Sequence, residues 1–214
     1  MTPVFYPYSC DSNERRHFVA FAATLAILIV YGLHAGRDAL SGAGIQIPWY
    51  FETPTFALVT WGLYRGATHY AWRYRWFRLL FGVRIPDLNG HWTGHLVSSF
   101  DPGTQIPCSL NVEQTWDSIG LMFETEGSRS YNGITGISIK APGGPRIVYE
   151  YANVPKAMAA NLTMFRHEGT QWLSLSENSE EERALIGDYY TGRDRQTYGT
   201  VHLIRSKPTY SKSR

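Results

Sequence analysis

Residues 85–116 read IPDLNGHWTGHLVSSFDPGTQIPCSLNVEQTW, and the alternation in this stretch decides the fold. Trp92, Gly94, Leu96 and Ser98 fall on one side of an extended chain, and His91, Thr93, His95 and Val97 on the other. Asp101-Pro102-Gly103 then supplies turn chemistry before a second β-rich run. The same texture continues to residue 205, in eight runs at 89–100, 107–116, 118–126, 128–140, 146–153, 169–177, 183–191 and 197–205. Turns at 116–118, 126–128, 141–145, 178–181 and 192–194 separate them. Only 154–167 breaks the pattern, where MAANLTMF suits a turn or two of helix. Consecutive hairpin-linked strands predict a mainly β domain, an eight-stranded antiparallel up-and-down β-barrel, with a sandwich as the alternative. Such a barrel is just wide enough to be filled by side chains or to hold one small ligand.

Working outward toward the N-terminus, the chain changes character. Residues 18–33 read FVAFAATLAILIVYGL without a charge, and 34–36 extend them to the length of a short transmembrane helix. A buried helix of a soluble domain would carry a polar stripe, and this one has none. A second apolar segment is interrupted by Pro48, Glu52 and Pro54. Thr53-Pro54 reads as a helix start, and a helix from Pro54 to about Trp72 would be roughly 28 Å long. It carries Arg65 and His69 near its far end, where Arg can reach the headgroups and the surrounding Trp and Tyr form an interfacial belt. A re-entrant hairpin is the alternative.

Arg15 and Arg16 precede the first span, while Arg65, Arg73, Arg75, Arg78 and Arg84 lie at or beyond the end of the second. The intervening loop offers Arg37 beside Asp38. This asymmetry predicts a two-pass membrane protein with both termini in the cytoplasm. Arg15-Arg16 before an apolar run also partly mimics a twin-arginine export signal, but no A-x-A cleavage site follows. The expected organisation is therefore 1–84 as tail and two-helix anchor, 85–206 as cytoplasmic β-barrel, and 207–214 as C-terminal tail.

Composition narrows the function. The 214 residues carry a net charge of +2, which offers no bulk attraction for a nucleic-acid polymer. Cys10 and Cys108 lie far apart and suggest neither a disulfide framework nor a zinc site. No GxSxG, GxGxxG, HExxH or P-loop pattern occurs, so the chain is expected not to be an enzyme and to need no cofactor. Asn161-Leu-Thr163 matches a glycosylation sequon, without meaning in a cytoplasmic domain.

What remains is binding. Tyr149, Tyr151 and Asn153 share one strand face, as do Tyr189 and Thr191, so the barrel lumen is either a pocket for a polar aromatic ligand or a packed, hydrogen-bonded tyrosine core. Tyr189-Tyr-Thr-Gly-Arg-Asp-Arg195 runs from a strand into a basic turn. Arg is suited to phosphate and Tyr to base stacking, although Asp194 also allows an ordinary neutralised turn.

The ordered set DLNGHWTG, NVEQTW, ETEGSRSY, YEYANVP, HEGTQWLSL and DYYTGRDRQTYGTVHLIR, behind two apolar segments, resembles the two-transmembrane β-barrel effectors of CBASS anti-phage systems. The resemblance covers nearly the whole chain and is strongest over 85–205. It implies a lipocalin-like barrel that senses a cyclic dinucleotide made by a partner nucleotidyltransferase. It further implies a place in the bacterial inner membrane, self-association into oligomers, disruption of the lipid bilayer and abortive infection. On the matching motifs it assigns ligand contacts to Thr125, Ser128, Ser130 and Tyr131, to Tyr149, Tyr151 and Asn153, to His167 and Thr170, and to Tyr189, Thr191, Arg193 and Arg195. The tyrosines 149, 151 and 189 would stack or line the lumen, Arg193 and Arg195 would hold phosphates, and Thr125, Ser130, Asn153 and Thr191 would read base or ribose edges. Trp92 would close the barrel floor. The alternative function is a membrane-tethered, lipocalin-like binder of a small apolar ligand.

Overall fold

The computed structural model describes residues 4–42, 52–156, 166–179, 182–193 and 195–206. The expectations for Asp194, for most of 154–167 and for the C-terminal tail beyond 206 lie outside the described residues. The chain divides into two compact units, one of Met1–Asp11 with Ile85–Arg214 and the other Ser12–Arg84.

The first unit is a closed antiparallel barrel with one inserted strand. Strand β1 (Tyr6–Cys10) comes first in the chain, and β2 (Gly90–Ser98), β3 (Asp101–Gln114), β4 (Ser118–Thr125), β5 (Ser128–Ser138), β6 (Arg146–Pro155), β7 (His167–Ser179), β8 (Glu182–Thr191) and β9 (Tyr198–Arg205) follow. From β2 to β9 each strand pairs with the next, and β9 returns to β2 with Trp92 opposite Arg205 and Ser98 opposite Gly199. The alternation of Leu185, Gly187, Tyr189 and Val201, Leu203 drives closure, because a one-residue slip would turn this set out to solvent.

The structure corrects the strand count from eight to nine. The ninth is β1, whose sequence YPYSC is short, holds a proline and abuts an apolar helix, so no alternating run announced it. It also moves the first residues from the anchor to the barrel unit. Strand β3 begins six residues earlier than expected, because the chain reverses at Ser99–Phe100 and Asp101-Pro102-Gly103 is already extended beside β2.

Strand β1 occupies a gap between β4 and β5. Those two strands pair directly only over Met122–Glu124 and Arg129–Tyr131. Below this, β5 bulges at Gly133 and Ile134, and the buried Asn132 side chain takes over the missing ladder. Its Oδ1 accepts from the Leu121 amide at 2.7 Å and its Nδ2 donates to the Ile119 carbonyl at 3.3 Å. Farther down, Tyr6 and Pro7 lie antiparallel to β4, while Tyr8, Ser9 and Cys10 run parallel to β5. Tyr8 donates its hydroxyl to the Trp116 carbonyl at 2.7 Å. Asp11 ends the insertion by accepting from the Ser138 hydroxyl and the Ile139 and Lys140 amides.

The floor is apolar and tied. Trp92, Leu110, Ile119, Leu121, Leu173, Leu185 and Leu203 are fully buried there. Trp92 donates its indole N–H to the Leu88 carbonyl at 3.0 Å, and the Arg205 guanidinium lies 5.7 Å from its ring centre. Buried Gln114 accepts from the Leu88 amide at 2.9 Å and donates to the Pro86 carbonyl, fastening the entry segment across the end of the barrel.

The second unit contains α1 (Glu14–Gly42), α2 (Glu52–His69), a 3-10 turn at Ala71–Arg73 and α3 (Arg75–Phe81). Phe18, Phe21, Phe77 and Phe81 interlock, and the buried Glu14 carboxylate accepts from the Arg84 amide at 2.9 Å. Among the described residues one helix is long and apolar enough to cross a bilayer, the 24-residue stretch Glu14–Arg37. The second apolar segment is helical from Glu52, and Glu52 and Arg65 dilute its apolar character.

Candidate functional site

The lumen changes polarity along its axis. At the end where the β4–β5 and β8–β9 turns meet the end of β6, the inward positions become polar and a cavity of about 770 Å³ opens. That volume lies within the range of roughly 300–1,000 Å³ usual for small-molecule sites.

Nine of the sequence candidates line it: Thr125, Ser128, Ser130, Tyr151, Asn153, His167, Tyr189, Thr191 and Arg195. Alternation of side chains along β4 to β8 delivers all of them but Arg195, which the β8–β9 turn carries. Four others lie elsewhere. Tyr131 and Thr170 sit one residue out of phase with Ser130 and Gln171, on the outer face. Tyr149 points inward but beneath the cavity, and is fully buried. Arg193 is exposed in the β8–β9 turn and is not part of the wall. Trp92 lies under the cavity, as floor rather than lining.

The sequence candidates missed Ser98, Phe123, Lys156, Gln171 and Thr197, which also line the cavity. A signal existed for Gln171, since counting inward from His167 in steps of two reaches Gly169 and then Gln171. Lys156 had none, because it follows β6 after Pro155 and its direction depends on its partners.

Those partners are specific. Lys156 donates its ammonium to the Thr125 carbonyl at 2.8 Å and pairs with Glu124 at 2.7 Å, and its own amide donates to the Gly127 carbonyl at 2.9 Å. The Lys156 bond, with Arg129 beside it, holds the Glu124 carboxyl below its ordinary value of 4.5. A carboxylate with a depressed folded pKa stabilises the native state above its unfolded pKa, and that contribution is lost as pH falls through the folded value. Glu124→Gln is therefore expected to lower thermal stability slightly at pH 7 and not at all well below pH 4, read by unfolding scans at both. An equal loss at both pH values would show that charge is not what Glu124 supplies.

The polar wall is organised by short bonds. The Thr125 and Ser128 hydroxyls lie 3.1 Å apart across the turn, and Asn153 donates Nδ2 to Ser128 at 3.1 Å. Tyr149 donates its hydroxyl to Gln171 Oε1 at 2.6 Å. Thr191 donates to the Thr197 carbonyl at 2.9 Å, bracing the β8–β9 turn that carries Arg195. Burial raises the Tyr151 phenol above its ordinary value, with Tyr189 adding to the shift and Arg195 opposing it, so Tyr151 is a neutral donor at pH 7.

Two glycines make the room. A Cβ on Gly169 would lie 2.4 Å from the Tyr151 hydroxyl oxygen, and one on Gly199 would lie 2.7 Å from the Tyr189 ring. Both rings thus lie over bare backbone against the wall, which keeps the centre of the lumen open. The arrangement can take a flat polar ring beside the tyrosines and an anion between Lys156 and Arg195.

Comparison with known proteins agrees with this chemistry. Residues 83–205 match the family described as Cap15, cyclic dinucleotide receptor domain. A curated relative, CD-NTase-associated protein 15 of Yersinia aleksiciae, is 29% identical over 201 residues, covering 91% of each chain. The family match spans every strand of the cavity wall, from β2 to β9, and more than half of the molecule. On that ground, and with a lumen of this polarity, the chain belongs to the family of the Cap15 cyclic dinucleotide receptor domain.

Proposed function

We propose that the protein is a cyclic-dinucleotide-activated membrane effector of bacterial anti-phage defence. The observation that carries this reading is the family match over the whole cavity wall. The name of the Yersinia aleksiciae relative, CD-NTase-associated protein 15, supports a partner nucleotidyltransferase as the source of the ligand. Tyr151 and Tyr189 hold the bases, Lys156 and Arg195 the phosphates, and no metal or cofactor takes part.

The anchor supplies the output. At 1.5 Å per residue, Glu14–Arg37 would extend about 36 Å, beyond the roughly 30 Å of a bilayer's hydrocarbon core. With α2 as a second pass and arginines flanking both, the protein sits in the inner membrane with its termini in the cytoplasm. Ligand drives assembly by binding the assembled state more tightly than the lone one. Confinement to the membrane plane raises the local concentration and favours encounter. The outer faces of β8 and β9 leave Ile186, Tyr190, Tyr198 and Ile204 exposed, an apolar surface for a second barrel to cover. Clustered anchors then disrupt the bilayer, and the infected cell dies before phage mature.

The test uses the full chain in detergent and in lipid vesicles. A matching cyclic dinucleotide at about 100 times its Kd should add roughly 2.7 kcal/mol, a rise of about 5–10 °C in Tm. The same ligand should enlarge the particle by light scattering and release dye from vesicles. No shift with any purine or pyrimidine cyclic dinucleotide, together with a shift from fatty acids, would favour the apolar-ligand carrier.

A further inference from the structure

We propose that the ligand enters the barrel base-first, and that Gln171 selects it by donating a hydrogen bond to an acceptor on the leading edge of that base. The proposal rests on the cyclic dinucleotide reading above and adds to it an orientation and a selectivity residue.

The argument starts from two polar atoms without partners. Gln171 is 3% exposed and Asn153 is 8% exposed, and both line the cavity. Gln171 Oε1 is used by the Tyr149 hydroxyl, and Gln171 Nε2 has no partner. Asn153 Nδ2 is used by Ser128, and Asn153 Oδ1 has none. In this arrangement the Tyr149 bond leaves the Nε2 end of Gln171 over, and the Ser128 bond leaves the Oδ1 end of Asn153 over. The lumen wall therefore holds one spare donor and one spare acceptor, and a buried polar group left unmet is unfavourable.

Depth assigns them. Asn153 lies opposite His167 near the mouth, and Gln171 lies four residues farther along β7, roughly 13 Å deeper along the strand direction. Tyr189 and Ser98 lie in register with Gln171 through β8 and β9, Leu96 and Val201 come two residues beyond, and none of these lining residues is charged. A phosphate carries acceptors alone, so it cannot satisfy Asn153 Oδ1, and placing its charge deep among uncharged groups, away from Lys156 and Arg195, would cost far more than one bond returns. A nucleobase meets both demands: its flat apolar faces suit the deep walls, a ring nitrogen or carbonyl at its edge accepts from Gln171, and an amine or ribose hydroxyl behind it donates to Asn153. The phosphates are left near the mouth, where Lys156 and Arg195 lie. Tyr149 is then a positioning residue, which aims Gln171 without touching the ligand.

The test compares the wild-type full chain with Tyr149→Phe/Gln171→Leu, which replaces both hydrogen-bonding partners by apolar groups of similar shape. The ligands are the tightest-binding cyclic dinucleotide of a purine and pyrimidine panel and its analogues lacking one base acceptor at a time, such as deazapurines. For the wild type, one analogue should bind roughly tenfold or more weakly than the parent, and for the variant the two should bind alike. If the double variant does not fold, Gln171→Met carries the same comparison. A variant that discriminates against the same analogue by the same factor would overturn the proposal while leaving the receptor function standing. A wild type that binds no cyclic dinucleotide would overturn both.

Discussion

Replacing Trp92 with alanine is expected to remove about 3–5 kcal/mol of stability, the cost of emptying a fully packed tryptophan site. Trp92 is 0% exposed and sits where the barrel closes, on β2 opposite Arg205 of β9. Three things are lost at once. The cavity left by the indole cannot collapse, because closed strands on every side hold their spacing. The Leu88 carbonyl loses its donor, and the Arg205 guanidinium loses the ring it lies beside. Domains of this kind have roughly 5–15 kcal/mol in total, so the variant should unfold on the order of 10 °C or more below the wild type. Trp172→Ala provides the comparison, since Trp172 is on the outer face and only partly buried, with its indole N–H on Asp188. Equal losses at the two positions would show that closure at β2–β9 does not depend on the buried indole.

The second large effect concerns the ligand. Lys156→Ala combined with Arg195→Ala is expected to weaken cyclic dinucleotide binding by about 100-fold or more. Each charge-assisted bond to a phosphate contributes roughly 1.5–3 kcal/mol, and both would be lost. The affinity that remains should depend less on salt, because the two cation–phosphate attractions that salt screens are gone. Calorimetry with the full chain at two ionic strengths reads both quantities. Arg193→Ala, in the same turn but outside the wall, should leave affinity nearly unchanged. If Arg193→Ala weakens binding as much as the double variant does, the phosphates lie over the turn and not in the lumen.

The contrast between Arg193 and Arg195 illustrates what could be read from the chain. Strand faces were legible wherever alternation was clean: Tyr151 and Asn153 on β6, Tyr189 and Thr191 on β8, and Ser128 and Ser130 on β5 all line the cavity. Alternation has a period of two, so choosing by motif instead of by parity fails by one residue, as it did for Tyr131 and Thr170. Depth was not legible. Tyr149 and Tyr151 share a face, but one lies under the cavity and the other in its wall, because their levels depend on how far each strand is staggered around the barrel. In the turn, two arginines two residues apart have no periodicity to separate them. Lys156 is directed by the Thr125 carbonyl and Glu124, on other segments of the chain, which local sequence cannot reveal. Strand β1 was hidden for a related reason: five residues gain their pairing from a gap that exists only because β5 bulges.

That inserted strand makes the barrel a cylinder with a seam, stitched by the same piece of chain that leads into α1. Cut the chain at Ile85 and the seam is left with two bare lips, the lower halves of β4 and β5, whose amides and carbonyls have lost β1. Bare lips of this kind recruit strands from neighbouring molecules. A shortened barrel would therefore cluster without any messenger, and its clustering would say nothing about signalling. A test of the proposed ligand-driven assembly therefore needs the barrel with its own thread in place.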